Sequence, residues 1–282
     1  MKKEHKKYIK IFFKIFFAFL AIYFVFTKID FKETIEILKN ANLYFLFCAL
    51  LFFIFSKIIS SFRLNMFLKK IGIQISEKQN LKLYFLGMFY NLFLPGGIGG
   101  DGYKVYFFKK KFKIKAKKII FSLLFDRISG VFALTILILF LSLFINLFFN
   151  YKIEIFIIFP FYIIIAYFLL KKFFLIKLIF FKNTTLLSIF VQLFQLISAF
   201  LILKSININS EITSYLFIFL ISSVIAIIPL TIGGIGSREI TFLYAAELMN
   251  LEVQHSVALS LIFYLITVIV SFSGIFFNLK KL

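Results

Sequence analysis

Long apolar runs alternate with short, mostly basic segments along almost the whole chain. Each run is close to the 20 or so residues that a helix needs to cross the roughly 30 Å hydrocarbon core of a bilayer. The pattern therefore predicts an all-α integral membrane protein with about six transmembrane helices: Ile9–Thr27, Leu43–Ser60, Ile119–Phe148, Ile153–Leu170, Thr184–Leu203 and Ser256–Asn278. Lys57 lies near the end of the second span, where its side chain is expected to extend to the lipid headgroups.

Two further apolar segments are interrupted in the middle. Leu81–Phe108 is interrupted at Pro95–Gly102, and Ile212–Met249 is interrupted at Pro229–Gly236. Proline removes a backbone donor and glycine loosens a helix. Inside a bilayer, freed backbone groups persist only where protein packs around them or a wet cavity lies beside them. The two interruptions therefore predict two re-entrant loops.

The distribution of lysines indicates the side from which each loop enters. Leu81–Leu94 has 14 residues, a helix of about 21 Å, and Lys104–Lys118 after it holds eight lysines, which favours the cytoplasm. The first loop is thus expected to enter from the cytoplasm and the second from the opposite face, with both termini cytoplasmic. The arm Ile212–Ile228 has 17 residues, about 25 Å, so eight spans remain an open alternative.

The same tetrapeptide, Gly-Gly-Ile-Gly, occurs in both interruptions, at 96–99 and at 233–236. Matched interruptions in two halves are typical of inverted repeats in transporters, where they mark the binding site. We therefore predict a single polytopic membrane domain over residues 1–282, with inverted halves at about 1–118 and 119–282.

Composition agrees with a membrane protein and narrows the partners. Hydrophobic residues make up 62% of the chain, whereas soluble domains have about 45–50%. The net charge of +21 lies in loops between apolar spans, which favours contact with anionic lipid at the inner cell membrane over nucleic acid. A single cysteine excludes an internal disulfide, and two distant histidines indicate no metal site, so no cofactor is expected.

The second interruption carries the strongest candidate chemistry. Backbone amides at the start of a half-helix point together and favour an anion, and glycines let a ligand approach them. Arg238 follows directly and offers a planar fork to a phosphate, while Glu239 can neutralise or orient it. One alternative is close helix packing through small residues. Another is a purely internal ion-pair network, in which Arg127 pairs with Glu239, or Asp126 with Arg238.

The first interruption has its own polar neighbours. Asp101 would repel a phosphate, so it is expected to have an arginine or lysine partner, and Asn91 can bond freed carbonyls. Arg63 and Lys104 flank the loop. The predicted substrate-binding residues are Arg238, Glu239, Arg127, Asp126, Asn91, Asp101, Arg63 and Lys104, and the glycines of the two loops are Gly96, Gly97, Gly99, Gly100, Gly233, Gly234 and Gly236.

The sequence contains no constellation typical of an enzyme. Gly96-Gly97-Ile98-Gly99-Gly100 lacks the Lys-Ser/Thr of a nucleotide-binding loop and a preceding soluble strand. No Ser-His-Asp set is evident, so no catalytic residue is assigned and no enzymatic activity is predicted.

Three motifs give the chain a family resemblance: Asn91–Lys104 (NLFLPGGIGGDGYK), Phe125–Gly130 (FDRISG) and Pro229–Glu239 (PLTIGGIGSRE). They resemble the flippase-like transmembrane region of lysylphosphatidylglycerol synthases, also found as stand-alone membrane proteins, and the resemblance extends from Arg63 to Gly274. The positions that fit the family pattern are Arg63, Asn91, Pro95, Gly99, Gly100, Arg127, Gly233, Gly234, Gly236, Arg238 and Glu239. Lys104 and Tyr264 stand where many members have arginine, which leaves the headgroup open.

The resemblance implies the lipid-handling part of such a synthase. Full-length members carry an aminoacyl-transferase domain after the membrane region, whereas this chain ends at Leu282. We therefore expect a translocase that moves an anionic phospholipid or an isoprenoid-phosphate lipid between leaflets. The alternatives are a membrane subunit of a lipid-modifying glycosyl- or aminoacyl-transferase system, with a soluble transferase as partner, and a structural membrane protein. A homodimer is also left open.

Overall fold

The computed structural model describes residues 31–93, 99–174, 178–227 and 236–277, and in those residues every regular element is a helix. The α-helices are α1 (Phe31–Lys39), α2 (Leu43–Lys70), α3 (Glu77–Phe93), α4 (Gly99–Phe112), α5 (Ala116–Ser142), α6 (Lys152–Phe174), α7 (Leu178–Ser205), α8 (Ile212–Ile225), α9 (Ser237–Leu248) and α10 (Val253–Phe272). Two 3₁₀ helices, Asn146–Tyr151 and Ser273–Phe276, precede α6 and extend α10.

Four of these helices are long and apolar enough to cross a membrane: α2, α5, α7 and α10 with its 3₁₀ extension. They have 24 to 28 residues, or about 36–42 Å of helix, which exceeds the roughly 30 Å core. The prediction of a helical, multi-pass membrane protein is confirmed. The predicted span Ile153–Leu170 lies within the 23-residue α6, and the predicted span Ile9–Thr27 lies outside the described residues.

The end of the second predicted span is wrong. The predicted span stops at Ser60, but α2 continues without a break to Lys70. Ser60, Ser61, Arg63 and Asn65 are all buried in the helix. Three of them bond other parts of the chain: Arg63 reaches α5 and α7, Ser61 reaches α3, and Asn65 reaches the connection at 71–76. They therefore do not end the helix as solvent-seeking groups would.

The centre of the molecule is an antiparallel pair, α2 and α7. Ser198 donates its hydroxyl proton to the carbonyl of Ala49 at 2.9 Å, and Arg63 reaches Ser188 near the other end of the pair. Between these contacts, the rings of Phe52 and Phe194 lie 5.7 Å apart. Small residues such as Ala49 and Ser198 allow the two backbones to approach closely, as is common between helices in membranes.

The helices α3 and α4 form an antiparallel hairpin around the first interruption. Gly100 contacts Asn91 and Gly87, and farther from the turn Lys104 contacts Tyr84. The turn at 94–98, with Gly96 and Gly97, lies outside the described residues. The 17-residue α3 and 14-residue α4 are about 26 and 21 Å long, shorter than the hydrocarbon core.

The helices α8 and α9 flank the second interruption and pack into the main core. Phe219 of α8 and Phe242 of α9 are fully buried in one cluster with Phe263 of α10 and Phe53 of α2. The two helices have 14 and 12 residues, about 21 and 18 Å. Gly233, Gly234 and Pro229 fall in 228–235, which the structure does not describe.

Candidate functional site

A buried ion pair joins α2 to α5. The guanidinium of Arg63 donates from Nε to Oδ1 of Asp126 at 2.8 Å and from Nη1 to the hydroxyl of Ser188 at 2.9 Å. Arg63 and Asp126 are 5% and 8% exposed. Gly130 lies beside this pair, and a Cβ added to Gly130 would lie 3.5 Å from Nη1 of Arg63. Arg63 is thus locked among three helices.

A second ion-pair group lies on α4 and α5. Arg127 donates to Oδ2 of Asp101 from Nε and Nη2, each at 2.7 Å, and Nζ of Lys104 lies 3.4 Å from Oδ1. Lys104 is buried and its Nζ lies 4.8 Å from the ring centroid of Tyr84 on α3. Asp101 therefore has two cationic partners, Arg127 and Lys104, where the sequence predicts one.

Asp126 and Arg127 serve different neighbours, so the alternative in which Arg127 pairs with Glu239, or Asp126 with Arg238, is wrong. Consecutive residues of a helix point about 100° apart. Asp126 accordingly faces α2, and Arg127 faces α4. Their partners, Arg63 and Asp101, lie on α2 and α4.

Close packing fixes the start of α4. The Gly100 amide donates to Oδ1 of Asn91 at 2.7 Å, so Asn91 bonds a freed amide rather than the freed carbonyls that the sequence suggested. A Cβ on Gly100 would lie 2.1 Å from the carbonyl oxygen of Gly87. At Gly100 the close-packing explanation of the glycines therefore holds, and this amide is already occupied.

Glu239 closes the start of α9. Its Oε2 accepts from the amide of Gly236 at 2.7 Å, and its Oε1 accepts from the hydroxyl of Ser260 at 2.9 Å. Gly236 has a positive φ of 84°, which glycine adopts without strain. Glu239 is 5% exposed; one oxygen caps α9, the other binds Ser260 of α10, and within the described residues neither accepts a hydrogen bond from Arg238.

Arg238 is buried without a carboxylate bound to it. Its Nη2 donates to the hydroxyl of Ser223 at 3.3 Å, and its Nε has no hydrogen-bond partner. The guanidinium carbon lies 4.9 Å from the ring centroid of Phe263 and 5.5 Å from that of Phe219. Aromatic faces stabilise a desolvated cation by about 2 kcal/mol, but they do not replace the missing hydrogen bond.

Sequence reasoning missed several residues that complete these groups. The missed residues are Lys57, Tyr84, Ser188, Phe219, Ser223, Ser260 and Phe263. The buried serines carried a usable signal, because a hydroxyl within an apolar helix seeks a partner. The aromatic residues carried none, since phenylalanine occurs 46 times in the chain.

The charges that meet around these helices do not balance. Among the residues that the structure describes, five cations accompany three carboxylates, and all eight side chains are buried or half-buried: Lys57, Arg63, Lys104, Arg127, Arg238, Asp101, Asp126 and Glu239. We call these eight side chains the polar network. Charges inside a membrane protein are costly unless they are compensated, so the network favours an anionic ligand. Among the described residues no group of three or more His, Cys, Asp or Glu side chains could hold a metal ion.

Comparison with known proteins agrees with this architecture. Residues 11–274 match the family model described as the lysylphosphatidylglycerol synthase TM region. A UPF0104 membrane protein of Pyrococcus horikoshii is 35% identical over 80 residues, a match that covers 28% of this chain and only 24% of that protein. Because the family model covers nearly the whole chain, the chain belongs to the lysylphosphatidylglycerol synthase transmembrane-region family.

Proposed function

We propose that this protein moves an anionic lipid, a phospholipid or an isoprenoid phosphate, between the leaflets of the membrane. The observation that carries the proposal is the buried Arg238 guanidinium, with an unpartnered Nε and no carboxylate bound. A phosphate offers the planar fork of arginine two acceptor oxygens. The acyl tails would remain in the bilayer while the headgroup passes Arg238.

The backbone amides at the starts of α4 and α9 are already hydrogen-bonded, so side chains would bind the phosphate. Two amides that could have received a phosphate, those of Gly100 and Gly236, already donate to Asn91 and Glu239. The excess of cations in the polar network supports an anion as the ligand. The same excess disfavours a purely structural role, in which the charges would only pair with one another.

The site would lie within the membrane on two re-entrant loops. The arms α3, α4, α8 and α9 are each shorter than the roughly 30 Å that a full crossing needs, which supports loops that enter and return. Loops from opposite faces would meet near the centre of the bilayer and let a headgroup pass from one side to the other.

Reconstitution into liposomes tests the proposal. A fluorescent phosphatidylglycerol is placed in both leaflets, and a reagent that does not cross the membrane quenches the outer one, so that the rate of further loss reports exchange. We expect Arg238→Met to slow exchange at least about tenfold, because a charged hydrogen bond contributes about 1.5–3 kcal/mol. Lys182→Met, at an exposed position, is the control. Equal rates for the parent protein and Arg238→Met would refute the proposal.

A second candidate function is a membrane subunit of a lipid-modifying transferase. The family description, which names a region of a synthase, favours it. A soluble aminoacyl- or glycosyl-transferase would then bind on the cytoplasmic side, where the exposed lysines of 109–118 form the most basic segment. Co-purification of a transferase activity that is lost with this protein would support the subunit role. Lipid exchange by the purified protein alone would support the translocase.

A further inference from the structure

Lys57 is a cation of the polar network that neither the sequence motifs nor the family resemblance selects. It lies in the middle of α2 and is partly buried, with its Nζ 4.3 Å from the ring centroid of Phe53. Phe53, one turn earlier on the same helix, is 1% exposed in the main core. The ammonium is therefore held against the aromatic core, and the expectation that it extends to the headgroups is wrong.

Lys57 and Arg238 lie on one aromatic cluster. The ring of Phe53 packs edge to face against Phe263, with the centroids 5.3 Å apart, and the Arg238 guanidinium lies over Phe263. Lys57 and Arg238 thus contact two rings that pack directly against each other. Two like charges brought together inside a membrane protein destabilise it unless an anion lies near both.

The carboxylates of the network are all used elsewhere. Asp126 bonds Arg63, and Asp101 bonds Arg127 and Lys104. Glu239 spends one oxygen on the Gly236 amide and the other on Ser260. Within the residues that the structure describes, Lys57 thus has no carboxylate partner, and Arg238 has none in hydrogen-bond contact.

We propose that Lys57 and Arg238 together form a two-cation site for one phosphate group, and that this phosphate belongs to an anionic membrane lipid. The identification of the lipid rests on the proposed function, whereas the two-cation site can be tested by binding alone. Lysine contributes a mobile point charge and arginine a fixed fork. With Glu239 nearby, one positive charge remains in excess, which suits a phosphodiester that carries one negative charge.

Native mass spectrometry of the purified protein in detergent tests the site. Lipid retention is measured with phosphatidylglycerol, which is anionic, and with phosphatidylcholine, which is zwitterionic. Inorganic phosphate is added as a competitor, to separate a lipid site from a site for free phosphate. The variants are Lys57→Met, Lys57→Arg and Arg238→Met, with Lys182→Met as the matched control at an exposed position.

We expect Lys57→Met and Arg238→Met each to weaken phosphatidylglycerol retention at least about tenfold relative to phosphatidylcholine, because each loses a charged hydrogen bond. Lys57→Arg keeps the charge and is expected to stay within about threefold of the parent, as is Lys182→Met. A loss with Lys57→Met that Lys57→Arg does not rescue would indicate damaged packing and overturn the assignment.

The remaining outcomes separate this inference from the proposed function. If only Arg238→Met weakens retention, Lys57 is no ligand and the translocase proposal stands. If Lys57→Met weakens retention but the parent protein exchanges no lipid in liposomes, the site stands and the translocase proposal fails. Displacement of phosphatidylglycerol by equimolar inorganic phosphate would overturn the lipid assignment. Unchanged retention in all variants would overturn both the two-cation site and the role of Arg238 in the proposed function.

Discussion

The ion pairs of this protein differ in how much stability is lost when one partner is removed. In a buried pair, the attraction compensates a large desolvation cost, so the loss of one partner leaves an isolated charge. Arg63 and Asp126 form such a pair, whereas the pair of Lys69 and Glu77 has side chains 51% and 40% exposed. Exposed pairs contribute about 0–1 kcal/mol.

We predict that Asp126→Asn lowers stability by about 3–5 kcal/mol, because Arg63 then lacks a counter-charge. The change is measured as the midpoint of thermal unfolding in detergent, monitored by size-exclusion chromatography. Glu77→Gln is the matched control and should shift the midpoint little. The double variant Arg63→Met with Asp126→Leu should recover much of the loss, and a double variant as unstable as Asp126→Asn alone would contradict the explanation.

At the scale of the helix, packing of α3 against α4 depends on one glycine. A Cβ on Gly100 would lie 2.1 Å from the carbonyl oxygen of Gly87, whereas a Cβ on Gly102 would meet no atom within 4 Å. Gly100→Ala should therefore push the two helices apart and cost about 1–3 kcal/mol or more. Gly102→Ala should be neutral or stabilise by up to about 1 kcal/mol, since alanine favours the helix. Melting temperatures of the two variants check this, and equal shifts would contradict it.

Helices were easier to predict than their ends and partners. The apolar runs located α2, α5, α7 and α10, because a span needs a fixed length of apolar sequence. The end of α2 was misplaced because Arg63 looks like a loop residue until Asp126 and Ser188 are seen around it.

Similarly, the motifs selected Arg238 and Glu239, but not which atoms they bond. Glu239 turned out to cap its own helix, a local role that the spacing of Gly236 and Glu239 permits. The partners of Asp126 and Arg127 are distant in sequence and depend on how helices pack. Hydrophobic periodicity does not specify such long-range pairings, so ion-pair partners are the least predictable part of the site.

For the whole molecule, the arrangement of the second interruption in the membrane is the decisive structural question. If α8 and α9 are the arms of a re-entrant loop, Ile235 lies within the membrane. The chain before α8 and the chain after α9 then both lie on the side opposite the cytoplasm. If both arms cross fully, Ile235 lies in the cytoplasm. The lengths of α8 and α9, about 21 and 18 Å, favour the loop.

Single-cysteine labelling separates the two arrangements. In a Cys48→Ser background, which removes the only native cysteine, Ile235→Cys should resist a thiol reagent that cannot cross the membrane when it is applied from the cytoplasmic side. Lys115→Cys is expected to react from that side and Asn207→Cys only from the other, so they serve as markers. Rapid cytoplasmic labelling of Ile235→Cys, at a rate like that of Lys115→Cys, would establish eight spans. Arg238, at the start of its helix, would then lie close to the cytoplasm. There, water rather than a lipid phosphate could compensate its charge.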